Sequence, residues 1–258
     1  MTQLLVETSK NQDISYTLTD EELHFKANSV DKLTISVAQI IGRRIVVNGL
    51  IPGATLPREQ ELCDIVGVSR TVLREAVKTL VEKGLIETRQ KAGTLVSPRS
   101  NWNLFDKDVL RWLFEHGVDE DFKMSLVELR SAIEPSVVKL AARKAGDSDL
   151  KKMEKALILM EEATTPEAYL NADVTFHMSM FHACKNEFLI QFRTVIKQIL
   201  KGSFQVQQTA VIESDSGKKL HRALYEKIAS GDVEGAEITM KYIIQKAEEE
   251  LVMGTLKK

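Results

Sequence analysis

Long apolar runs are missing from this chain. None of its 258 residues falls in a stretch near the ~20 consecutive apolar positions that cross a bilayer, so no membrane span is expected. Cysteine is scarce. Cys63 and Cys184 are the only two, and each sits inside an apolar helical pattern, which reads as buried free thiols in a reducing compartment rather than as a disulfide. The first residues lack a basic start followed by an apolar stretch, so no signal peptide is expected and the location reads as cytoplasmic. Strand patterns are absent after Pro98. What remains is an ordinary globular composition, 43% apolar and 28% charged, with length enough for two domains or one large one and a sizeable core.

The net charge of −2 conceals an asymmetry. Between Asp31 and Arg99 there are eleven Lys/Arg against seven Asp/Glu, a local +4, and the rest of the chain then carries −6. A basic module joined to an acidic one implies that only the first meets a polyanion. Residues 1–30 are polar and without periodicity, which reads as a mobile arm. Helical spacing then runs from Leu33 to Val47 and is broken by "NGLIPGATLP". A short helix follows over Glu59–Val66, then a turn at Gly67, then a third helix capped by Ser69 and ending near Lys83-Gly84. "LIETR" and "TLVSP" alternate as two strands around "QKAG". Three helices and a two-stranded wing over 31–97 make a winged helix-turn-helix. A connector at 98–105 leads into helical segments near 106–116, 120–145, 147–162, 166–184, 187–210, 215–229 and 232–253, an all-α bundle over 106–254. The fold class is mainly α.

On the third helix, Arg70, Thr71, Arg74 and Lys78 fall in one ~100° arc, while Leu73, Ala76 and Leu80 lie roughly opposite, as the 3.6-residue period dictates. One face can bury itself while the other projects donors from the helix N-terminus, the end that enters a major groove. The wing adds Arg89 and Lys91 for backbone contact. "LPREQELCDIVGVSRTVLREAVKTLVEKGLIETRQKAGTLV" resembles the GntR family of bacterial transcription regulators over the whole N-terminal module. The resemblance implies base or phosphate contacts from Arg70 and Arg74 and phosphate contacts from Ser69 and Thr71. It also exposes two departures. The family's arginine before "EL" is Gln60 here, with Arg58 at a normally small position, and the first wing glycine is replaced by Lys91.

In the helical half, Asp173 and His177 are four apart and project from one face, with His221 on a later helix. From the residues alone this is either a shared metal ion or an i,i+4 hydrogen bond inside a bundle. Arg130 and Glu134 repeat the spacing, where a surface salt bridge is the plain alternative. "ELRSAIEPSVVKLAA", "NADVTFHMSMFHACKNEFL" and "LHRALYEKIASGDVEGAEITM" resemble the FCD ligand-binding domain of the FadR-type branch of that family, and "NWNLFDKDVLRW" is similar to the linker of its regulators of sugar-acid (galactonate-type) catabolism. The resemblance implies an effector pocket with Arg130, Glu134, Asp173, His177, Asn186 and His221, Arg130 clamping a carboxylate. At Asn186, helix capping competes with that role. It also implies a divalent metal (Zn, Ni or Mn) on Asp173, His177 and His221, although the family's fourth ligand position is Ile243 here.

The expected function is therefore a ligand-responsive transcription regulator, a repressor. It would bind a palindromic double-stranded operator as a homodimer and be released by a small organic acid or sugar acid. A ligand-independent architectural DNA binder is the alternative. A metal-dependent enzyme is weaker, because no Ser-His-Asp set, glycine-rich phosphate loop or separate general base accompanies the cluster.

Overall fold

The computed structural model describes residues 30–47, 50–90, 92–207 and 215–255. The N-terminal arm expected at 1–30, apart from Val30, and Lys91 of the wing lie outside the described residues. The chain divides into two compact units, Met1–Gly117 and Val118–Lys258.

In the first unit, α1 (Val30–Val47) buries Val37, Ile41 and Ile45 at helical spacing, and α2 (Glu59–Val66) buries Leu62 and Val66. The turn to α3 (Arg70–Glu82) needs Gly67, whose φ of 71° is left-handed and unstrained only for glycine. Ser69 Oγ accepts from the Val72 N–H and caps α3. Leu73, Ala76 and Leu80 are buried, so the apolar arc read from the sequence is the packed one. The wing is the antiparallel pair β1 (Ile86–Arg89) and β2 (Gly93–Val96), in register from Ile86 opposite Val96 to Arg89 opposite Gly93. The segment that breaks α1 has a second role. Gly53 and Leu56 donate to the Val96 and Thr94 carbonyls, and Ala54 accepts from Val96, so this stretch covers the free edge of β2.

The sequence-based linker at 98–105, and the assignment of 106–116 to the second domain, are corrected by the structure. Residues 98–105 are held down in the first unit: Arg99–Asn101 forms a 3-10 turn, Trp102 Nε1 donates to the Ser97 carbonyl, and a side chain at Gly84 would collide with the Asn101 carbonyl. Helix α4 (Lys107–His116) then packs on α1. Trp112 is buried against Gly42, where an added Cβ would lie 2.5 Å from the indole. Lys83, at the end of α3, donates to Asp106 and Asp108 at 2.7–3.0 Å, tying α3 to the N-terminus of α4. Periodicity shows that a helix is amphipathic but not which core it covers, and the partner chosen here is the first.

The second unit contains α5 (Glu120–Lys144), α6 (Asp147–Glu161), α7 (Pro166–Ala183), α8 (Glu187–Gln191), α9 (Arg193–Gln207), α10 (Asp215–Ala229) and α11 (Val233–Thr255), with no strand among the described residues. Asp119 caps α5, and Thr165 caps α7 with Pro166 at the first helical position. The single helix expected over 187–210 is two: at Phe192 the backbone N–H bonds the Leu189 carbonyl three residues back, which tightens the turn and separates α8 from α9. α6 lies along α7, while α5 packs on α7, α10 and α11. Val137, Val138, Met153, Phe176, Phe181, Leu224 and Met240 form the core.

Candidate functional site

The first unit presents the residues expected to meet DNA. Arg58, Ser69, Arg70, Thr71, Arg74, Lys78 and Arg89 are all exposed. Four of the five cations in this set have an acceptor on the protein. Arg74 Nε bonds both oxygens of Glu59 at 3.1–3.2 Å, and the hydrogen bond and charge of Glu59 raise its pKa. Arg70 bonds Gln60 Oε1, Lys78 bonds Glu75 at 2.6 Å, and Arg89 pairs with Glu87 at 2.7 Å. The row of donors seen at helical spacing is present, and the first turn of α2 supplies acceptors that the spacing does not reveal.

The second unit encloses a cavity of about 100 Å³, bounded by side chains of α5, α7, α9, α10 and α11, among them Arg130, Asp173, His177, His221 and Ile243. Residues read as one set from distant stretches of sequence converge here. Asp173 Oδ1 lies 3.1 Å from His221 Nε2 and 3.6 Å from His177 Nε2, and the three ligand atoms all lie within 4.8 Å of one another. The Phe176 ring lies nearly perpendicular to both imidazoles, with centroids 6.2 Å from His177 and 5.3 Å from His221.

Each imidazole is oriented from behind. His221 Nδ1 is 2.8 Å from the Gly217 carbonyl. A carbonyl only accepts, so Nδ1 carries a hydrogen and Nε2 faces Asp173. His177 Nδ1 lies 3.0 Å from Glu134 Oε2, at an angle outside hydrogen-bond geometry, and its Nε2 turns toward the cavity. His221 Nε2 likewise finds no well-aligned hydrogen bond although fully buried. One carboxylate oxygen and two Nε2 atoms converging with slack hydrogen bonds fit a divalent metal ion, with positions left open for another ligand. Ile243, at the family's fourth ligand position, lines the same cavity and offers it only methyl groups.

The electrostatics favour a charged cluster. Burial opposes ionisation of Glu134, but Arg130 and then His177 overcome it and hold the carboxyl at about 2. Burial opposes Asp173 similarly, and His177 and His221 lower it. Burial opposes the charged form of His221, but the Asp173 carboxylate 3.1 Å from its Nε2 outweighs it, and the pKa is raised. Arg130 Nε bonds Glu134 Oε1 at 2.6 Å, and the guanidinium also borders the cavity.

Two expected effector residues sit elsewhere. Glu134 is wholly buried behind Arg130 and His177 and does not line the cavity, so it positions both rather than touching a ligand. Asn186 is a helix cap: its side-chain oxygen accepts from the Phe188 and Leu189 N–H groups at the start of α8. Leu200, Ser203 and Phe204 of α9 and Lys246 of α11 also line the cavity and were not marked by any sequence pattern, since nothing local distinguishes them from other helical positions.

Comparison with known proteins finds a separate match in each unit. Residues 33–96 match the bacterial regulatory proteins of the gntR family, and residues 125–246 match the FCD domain. The galactonate operon transcriptional repressor of Escherichia coli K12 is 32% identical, over 81% of this chain and 91% of that protein. The Uxu operon transcriptional regulator of the same organism is 28% identical, over 80% of this chain and 77% of its own length. A solved structure of Lar from Listeria monocytogenes, 22% identical, superposes over 89% of this chain and 99% of its own with a TM-score of 0.59, which speaks for the fold alone. Among the described residues, no helix is long and apolar enough to cross a membrane. The chain belongs to the gntR family of bacterial transcription regulators, with an FCD domain as its effector-binding half.

Proposed function

We propose that this regulator is a repressor released by a small organic acid, of the sugar-acid kind, bound in the cavity of the second unit. The observation that carries the reading is the meeting of a buried arginine with an Asp/His/His set around one cavity. Arg130 offers the remaining edge of its guanidinium to a carboxylate in bidentate fashion. Asp173, His177 and His221 hold a divalent metal such as Zn, Ni or Mn, which supplies a positive centre for a second oxygen of the acid. Ser69, Arg70, Thr71, Arg74, Lys78, Arg89, Lys91 and Arg58 form the DNA-facing set. One winged helix makes too few contacts for operator specificity, so a homodimer on a palindromic site follows. The acid acts as inducer by binding the DNA-incompetent arrangement more tightly by ~1–3 kcal/mol.

A thermal-shift screen of organic acids, with and without divalent metal, tests this reading. A stabilising acid should also weaken DNA binding, and Arg130→Ala should lose both effects. A stabilising acid whose effect survives in Arg130→Ala places the carboxylate clamp elsewhere.

A further inference from the structure

The arginine that the family carries before its "EL" pair is Gln60 here, and the structure gives that glutamine a partner. Gln60 Oε1 accepts from Arg70 Nε at 3.1 Å and from Arg70 Nη2 at 2.5 Å. Gln60 Nε2 donates to Asp64 Oδ1 at 2.9 Å. The two contacts fix the amide without ambiguity: a guanidinium only donates and a carboxylate only accepts, so the oxygen must face Arg70 and the nitrogen Asp64. Asp64 sits one helical turn after Gln60 on α2, and its own backbone is locked by the helix.

We infer that Gln60, held by Asp64, is a specificity-determining positioning residue that selects which edge of the Arg70 guanidinium reads DNA. Arg70 has five N–H donors in a fixed fork. Gln60 occupies the Nε edge, using Nε–H and one Nη2–H. The end-on edge, with one N–H from each terminal nitrogen, takes no part in these two bonds, and Arg70 is exposed. That edge matches the O6 and N7 acceptors of guanine in the major groove. The neighbouring residue repeats the device, since Glu59 takes the Nε–H of Arg74 one turn further along α3. An arginine at 60 would add a phosphate-seeking charge and could accept nothing from Arg70. With glutamine the chain gives up one cation on this face and gains a guanidinium held in its reading pose before DNA arrives, so less side-chain freedom is lost on binding. The inference rests on the reading of α3 as the DNA-facing helix.

The experiment uses the full-length protein and a random-sequence duplex library at fixed salt, with wild type, Gln60→Ala, Gln60→Glu and Gln60→Arg selected in parallel. The enriched duplex and its single-base-pair variants are then titrated by anisotropy. Wild type should enrich a motif containing a G·C pair in each half-site whose replacement costs about tenfold or more in affinity, the range of a bidentate arginine contact. In Gln60→Ala that penalty should shrink to about threefold or less, while the salt dependence of binding to random duplex is unchanged. Gln60→Glu keeps the acceptor, so it should restore the G·C preference even though its charge lowers affinity for all duplexes. Gln60→Arg should bind random duplex more tightly, with a steeper salt slope, and lose the preference. If wild type enriches no motif, the assignment of α3 as reader fails and the inference falls with it. If wild type enriches a motif and Gln60→Ala shows the same penalties at every position, Arg70 needs no positioning and the inference alone is overturned.

Discussion

Glu134→Ala should destabilise the helical unit far more than an ordinary ion-pair deletion. The residue is wholly buried, and Arg130, 4% exposed, depends on it for a 2.6 Å bond. Two estimates of the cost agree. The Glu134 carboxyl sits at about 2 rather than its ordinary 4.5, and at ~1.4 kcal/mol per unit that difference is worth about 3 kcal/mol. Removing one partner of a buried pair costs about 3–5 kcal/mol, because the other charge is left in the interior without compensation. Both tryptophans, Trp102 and Trp112, belong to the first unit, so far-UV circular dichroism is the signal that follows the second. A loss of this size should lower its thermal midpoint by roughly 10 °C. The double variant Arg130→Met/Glu134→Leu removes both charges and should recover most of the loss, as apolar replacement of a buried pair does. Its response to any carboxylate effector should nonetheless vanish. A loss below about 1 kcal/mol for Glu134→Ala, the value of a solvated surface pair, would refute the reasoning.

Acid should act on the same pair. Because the folded carboxyl is depressed, its stabilisation is complete above about pH 5 and disappears as the pH falls toward 2; the double variant should show a shallower acid loss in urea titrations at stepped pH. Gly42→Ala should destabilise the first unit by about 1–3 kcal/mol, read in tryptophan fluorescence, since its Cβ meets Trp112; an unchanged midpoint would mean that α4 is not seated on α1. His221→Ala should abolish any metal-dependent rise in melting temperature, whereas Ile243→His, which turns a fourth imidazole toward the cavity, should enlarge it; calorimetric titration with Zn, Ni and Mn checks both.

The range of the forces involved separates what was legible in the chain from what was not. Helix limits were legible because their causes lie within a few residues: the Ser69 cap, the left-handed turn at Gly67, Thr165 before Pro166, and the apolar period of α3 and its opposite row of cations. Asp173 and His177 on one face follow from the pitch of a helix, and the wing follows from two alternating runs around a turn. The family resemblance joined His221 to them, and the structure brings it within 3.1 Å.

Packing decided the rest. Helix α4 belongs to the first unit because Trp112 finds the gap above Gly42, and the stretch that ends α1 becomes an edge partner of β2. Asn186 is a cap, Glu134 stands behind the site, and Gln60 bonds Arg70 across an interhelical angle. Each of these depends on which surfaces meet after the helices have formed. Periodicity and capping, acting within a few residues, set the elements and the faces they offer. Which faces meet was settled by the assembled fold, through shape and charge complementarity between residues far apart in the chain.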